Sequence, residues 1–179
     1  MGRMGNNGGR CAVYSGAMTR SIACIAFALL GAACASYSGR GLQPGVSSED
    51  EVRRTMGAPA MELGNPDGSK QLAYPRGPLG TETFMVRVGR DGLVQGVDQV
   101  LRDEVFYRIV PGITKDDVLR LIGPPSEMME FPRLQQTAWE YRYQDAWGYT
   151  AFLSVMIDPQ GIVAGRTTRR LDRDNSRSR

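Results

Sequence analysis

The stretch PGITKDDVLRLIGPP, Pro111 to Pro125, is preceded in the same chain by a degraded copy, PGVSSEDEVRRTMGAP, Pro44 to Pro59. A helix signal given twice, with matched strand patterns behind each copy, constrains the chain to two units of like layout. In the later copy Thr114 is placed to cap a helix. Asp117, three residues on, can reach back to the free backbone N–H in a capping box. Val118, Leu121 and Ile122 then share one helical face. Gly123 supplies the permissive backbone that ends the helix, and Pro124 with Pro125 forbids continuation. In the earlier copy Ser48 answers Thr114, Glu51 answers Asp117, Val52 answers Val118, Met56 answers Ile122, Gly57 answers Gly123 and Pro59 answers Pro125.

The echo continues past the helix. FMVRVGRDGLV from Phe84 matches LSVMIDPQGIV from Leu153, with Asp91-Gly92 answering Gln160-Gly161 as the turn. Both halves read as helix, strand, strand, turn, strand, an α+β pattern. Repeat 1 is expected over 42–101 and repeat 2 over 102–171. Units of this size are marginal alone, so the two are expected to pack together.

In repeat 1 a dense turn signal covers Met61 to Ser69, and strands follow at about 70–74, 83–88 and 93–101. In repeat 2, Val105, Phe106 and Ile109 sit at helical spacing ahead of the motif helix. Its strands are more aromatic: Trp139, Tyr141 and Tyr143 alternate with polar residues and read as core. Leu153, Val155 and Ile157 share one face of the next strand and put Phe152 and Met156 on the other. That pair is either an exposed contact patch or is covered by the neighbouring repeat.

The N-terminal fifth reads differently. Met18-Thr19-Arg20, an apolar run from Ile22 to Ala33 and small residues before Cys34 have the anatomy of a secretory signal over 1–33, too short to span a bilayer. Met18 is the expected start of translation, with Met1 to Ala17 an upstream extension. LLGAAC resembles the lipobox of bacterial lipoproteins, in which the cysteine is lipidated, although Gly31 stands where those boxes place Leu. An ordinary signal cut near Ala33 to Ser36 is the alternative. Residues 34–41 would then be the lipidated Cys34 and a short linker.

Charge is unevenly laid out. Three of the 22 basic residues precede Cys34, leaving 19 against all 19 acidic ones. Arg166 to Arg179 holds six arginines and two aspartates, so a basic tail, expected to be disordered over 172–179, follows a mildly acidic body. The tail reads first as a solvated terminus; behind a signal peptide, a binding role for it would be toward anionic head groups or an acidic partner and not nucleic acid. There is no histidine, and the cysteines are Cys11, Cys24 and Cys34. No Ser-His-Asp triad, thiolate–imidazole pair or Cys/His zinc cage can be built in the folded part. Glu49-Asp50-Glu51 and Asp116-Asp117 lie in first helical turns, where carboxylates favour the macrodipole. No enzyme activity, cofactor or metal is expected.

Gly112, Ile113, Thr114, Val118, Gly123 and Pro125, followed by Trp139, Tyr141 and Gly161, resemble the core motif of the SmpA/OmlA (BamE-like) outer-membrane lipoprotein family. The resemblance covers roughly Leu42 to Leu171, here as two tandem units. It implies short helices on a three-stranded antiparallel sheet in each repeat, and lipid anchoring at the periplasmic face of the outer membrane. It further implies a non-enzymatic accessory or scaffold role, with envelope proteins, among them components of the β-barrel assembly machinery, as partners. Tandem units of this layout are also the architecture of β-lactamase inhibitor proteins. The alternative expectation is therefore a periplasmic inhibitor-like module that captures an enzyme across its paired sheets.

Overall fold

A computed structural model describes residues 38–77 and 79–171. The expected signal, Cys34 and the basic tail lie outside the described residues. Repeat 1 consists of helix α1 (Glu49–Met56) and strands β1 (Met61–Gly64), β2 (Lys70–Pro75), β3 (Thr83–Val88) and β4 (Val94–Gln99). Repeat 2 consists of a single-turn α2 (Asp103–Phe106), α3 (Lys115–Ile122), β5 (Glu127–Phe131), β6 (Gln136–Gln144), β7 (Thr150–Ile157) and β8 (Val163–Arg170). Each repeat forms one antiparallel sheet in sequence order, β1-β2-β3-β4 and β5-β6-β7-β8.

The class is α+β with two sheet-based repeats, but the expected three-stranded sheets are corrected to four-stranded ones. The strands that sequence reading misses are β1 and β5, both at sheet edges. In β5, EMMEF, only Met129 is even half-buried. An edge strand of this kind is held by its ladder hydrogen bonds to β6 and buries no apolar face, so period-two alternation never marks it.

Local chemistry repeats almost residue for residue. Thr114 Oγ1 accepts from the Asp117 N–H at 3.1 Å while the Asp117 carboxylate accepts from the Thr114 N–H at 2.9 Å, completing the capping box. In α1 the Ser48 hydroxyl accepts from the Glu51 N–H. The next free N–H of each helix is taken by a turn glycine carbonyl, Glu49 by Gly92 at 2.9 Å and Lys115 by Gly161 at 2.8 Å. This ties the helix start to the head of the last strand. Both sheets shift register at the same place, Arg87/Val88 and Met156/Ile157. At the helix C-termini, Tyr74 donates its hydroxyl to the Gly57 carbonyl at 3.3 Å, and Tyr141 to that of Gly123 at 3.1 Å. Burial pushes the Tyr141 phenol far above its ordinary pKa, so it stays a donor.

Packing then decides what lies against what. Val52 and Met56 of α1 pack on Leu72, Tyr74, Val86, Val88 and Val94, one face of sheet 1. The residues between those, Ala73 and Met85, point the other way and belong to the core of repeat 2, with Val118, Ile122, Tyr141, Leu153 and Val155. Phe106 of α2 meets Tyr143 edge-on at 4.8 Å in that same core. Thus α3 touches both sheets. A Cβ on Gly123 would sit 3.2 Å from Thr83 Cγ2 and 3.3 Å from Ala73 Cβ, and Arg120 donates to Asn65 Oδ1 at 2.5 Å. The expectation that the repeats pack together is met through this helix, in the order α1, sheet 1, α3 with α2, sheet 2.

Two outcomes follow from this packing. Tyr141→Phe should cost about 1–3 kcal/mol by leaving the buried Gly123 carbonyl without its donor. Tyr74→Phe should cost less, because Gly57 is only half-buried; equal losses in urea unfolding would contradict this account. Hydrogen bonds from Thr114 hold the Asp117 carboxyl below its usual 3.8. A depressed folded pKa means a contribution present above the unfolded value and lost as pH falls through the folded one. Asp117→Asn should therefore flatten the decline in stability on acidification below about pH 4, measured by denaturant titration at several pH values.

Candidate functional site

Sheet 1 has a helix on each face, whereas sheet 2 has α3 and α2 on one face only among the described residues. Its far face carries Phe152 and Met156, both half-buried and in neither core cluster. Strand register arranges this face in three rows. Met129, Ala138, Met156 and Gly165 form an apolar row; Glu127, Glu140, Ser154 and Thr167 form a polar one; Arg142, Phe152 and Arg169 form the third.

The polar row is knitted together and linked to the third. Glu140 is only 5% exposed although it lies on this outer face. Its Oε1 accepts from the Ser154 hydroxyl at 3.0 Å and faces Arg169 Nη2 at 3.5 Å. Arg169 in turn lies over the Phe152 ring, 4.4 Å from its centroid. Arg142 is the register partner of Phe152 on β6, and its buried Nε has no hydrogen-bond partner. Phe152 thus carries over its ring a guanidinium that faces a nearly buried carboxylate.

The equivalent face of sheet 1 differs row by row. Where repeat 2 has Glu127, Glu140, Ser154 and Thr167, repeat 1 has Met61, Ala73, Met85 and Asp98. Those apolar positions are the ones α3 covers. At the positions of Leu63, Gln71 and Arg87, repeat 2 has Met129, Ala138 and Met156. A third copy of the motif helix would meet Glu140 in place of Ala73, so this face is not built to receive one. Arginine, methionine and phenylalanine around a hydrogen-bonded centre have the composition of protein interface cores.

The other sequence-singled residues are structural. Gly112 has φ +97° and donates its N–H to Val163 O at 2.9 Å. Thr114, Asp117, Val118 and Gly123 build α3 and its caps, and Pro125 sits just beyond them. None of them lies on the far face of sheet 2. Cys34 lies outside the described residues. Among the described residues, no three His, Cys, Asp or Glu groups converge as a metal site, and no helix is long and apolar enough to cross a membrane. Sequence reasoning missed Glu140, Ser154 and Arg169; the available signal was the exchange of Ala73 and Met85 for Glu140 and Ser154 between aligned repeats.

No protein-family model matches this chain, and no curated protein matches it. It is similar to a solved structure of a DUF4309 family protein (YjgB) from Bacillus subtilis subsp. subtilis str. 168. That likeness covers 74% of this chain and 84% of the other, at 14% identity and a TM-score of 0.29. Similarity at that level carries no argument about either chain's role. The SmpA/OmlA resemblance is corrected: no family model and no curated protein of that class matches the chain, and the solved structure found belongs to a DUF4309 protein. The motif behind the resemblance, Thr114 and Asp117 with Gly123 and Pro125, is helix-capping and helix-stopping chemistry, which unrelated sheet-packed helices share.

Phe152→Ala and Arg169→Ala should each cost about 1 kcal/mol or less, and the double variant less than their sum, if the ring and guanidinium interact across this exposed site. Strict additivity in urea unfolding would show the contact to be energetically empty.

Proposed function

We propose that this chain is a non-enzymatic, lipid-anchored protein of the outer membrane's periplasmic face, an accessory or scaffold that binds an envelope protein through the far face of sheet 2. The observation that carries the binding half is the row contrast. Repeat 1 has an apolar row covered by α3, and repeat 2 has Arg142, Phe152 and Arg169 beside Met129, Ala138 and Met156 with no helix over them among the described residues. The anchoring half rests on the sequence pattern ending at Cys34. Acyl chains on that residue would hold the folded repeats at a membrane surface through the short segment from Cys34 to Gly41. The non-enzymatic reading rests on the absence of histidine from the chain.

Two measurements test the halves separately. A photo-crosslinking residue in place of Thr167 should capture a defined envelope protein, and the same residue in place of Arg54, on the outer side of α1, should not. Phe152→Asp with Met156→Asp should abolish that product while the melting transition persists. Equal capture from both positions, or capture indifferent to the aspartates, removes the binding assignment. Independently, Cys34→Ser should move the protein from the membrane pellet to the soluble fraction; unchanged fractionation removes the anchor.

A further inference from the structure

The junction of the two repeats encloses a second feature, on the side of sheet 1 that faces repeat 2. A cleft of about 470 Å³ lies between sheet 1 and the helices α2 and α3, within the size range of small-molecule sites. Four guanidinium side chains line it: Arg87 from β3, Arg102 and Arg108 flanking α2, and Arg120 from α3. One carboxylate, Asp98, faces them, 3.1 Å from Arg87 Nη2. Arg120 is steadied by Asn65 Oδ1. The Arg102 and Arg108 side chains have no ion pair or hydrogen bond among the described residues. Four positive groups against one negative leave three charges uncompensated in one concavity, an arrangement that repels itself and concentrates anions.

Two further observations define the ligand. Met85, Val100, Val105 and Leu121 give the cleft an apolar side between its arginines. Gln71 Oε1, also at this cleft, is buried with no hydrogen-bond partner and is an acceptor waiting for a hydroxyl or N–H. A single carboxylate would neutralise one of the three charges. A phosphate monoester carries about −1.5 to −2 and three acceptor oxygens that suit the forked guanidinium geometry.

We propose that this inter-repeat cleft binds a small phosphate-bearing amphiphile, its phosphate held by Arg102 and Arg108 and its apolar part lying on Met85, Val105 and Leu121. Both a soluble phosphate ester and a phospholipid headgroup have this chemistry, and the test separates them. The Cys34→Ser full-length chain is titrated calorimetrically with phenyl phosphate and, for comparison, benzoate. In parallel it is sedimented with phosphatidylcholine vesicles containing or lacking phosphatidic acid. Binding of phenyl phosphate, at least about tenfold weaker binding of benzoate, and at least about tenfold loss in Arg102→Ala/Arg108→Ala are expected for a soluble ligand. Sedimentation that needs both phosphatidic acid and these two arginines, without phenyl phosphate binding, assigns the lipid source. Equal affinity for benzoate, no binding in either arm, or binding unchanged in an arginine variant that melts as the parent does overturns the proposal.

Discussion

The contact on which both repeats depend is the double engagement of α3. One side of this helix, Val118 and Ile122, is fully buried in the core above sheet 2, while its C-terminal Gly123 presses against Ala73 and Thr83 of sheet 1. Gly123 has φ +79°, and the only Cβ position available there would fall within 3.3 Å of another side chain. Glycine is therefore required twice over at this point, to end the helix and to let a second sheet approach its end. Remove the close approach and sheet 1 loses the cover over Ala73 and Met85, while repeat 2 loses part of its core. The two units share one apolar interior and are not beads on a string.

This sharing makes the two ends of the stack unequal to its middle. The outer surface of α1 carries Arg54 and Thr55 where α3 has Arg120 and Leu121, and the far face of sheet 2 carries Glu140 and Ser154 where sheet 1 has Ala73 and Met85. Terminal units of repeat proteins need polar outer faces to avoid stacking without end. The end at sheet 2 goes beyond that requirement, because its polar centre is flanked by Phe152 and Met156 and braced by Arg169. The junction itself carries the other concentration of charge, four arginines around the cleft beneath sheet 1. Both features are products of stacking: one is the surface that the described helices leave uncovered, the other the gap left between units.

Much of the fold was legible in the residues. The caps at Ser48 and Thr114, the stops at Gly57 and Gly123, the turns at Gly92 and Gly161 and the alternation of Tyr141, Tyr143, Leu153 and Val155 are local rules, each satisfied within a few residues of chain. The edge strands β1 and β5 were not legible, since β1 is four residues inside a dense turn signal and β5 buries no periodic apolar face. The family resemblance failed for the same reason that the helix reading succeeded: capping chemistry reports that a helix starts and stops, and carries no information about ancestry. Of the candidate site, Phe152 and Met156 could be placed opposite the core by alternation alone. Their company of Arg142, Arg169 and buried Glu140 could not, because partners on neighbouring strands are set by register.

By itself the sequence determined that there are two units, where each helix begins and ends, and which strand faces are apolar, because those properties depend on backbone hydrogen bonds and side-chain alternation over short spans. The tertiary structure alone decided that α3 lies between the sheets, that the face with Phe152 has no helix over it among the described residues, and that arginines up to 33 residues apart in the chain converge on one cleft. Such facts turn on which apolar surface finds which partner. That choice belongs to the close packing of Gly123 against Ala73 and of Val118 and Ile122 beneath Tyr141, contacts between residues far apart in the chain.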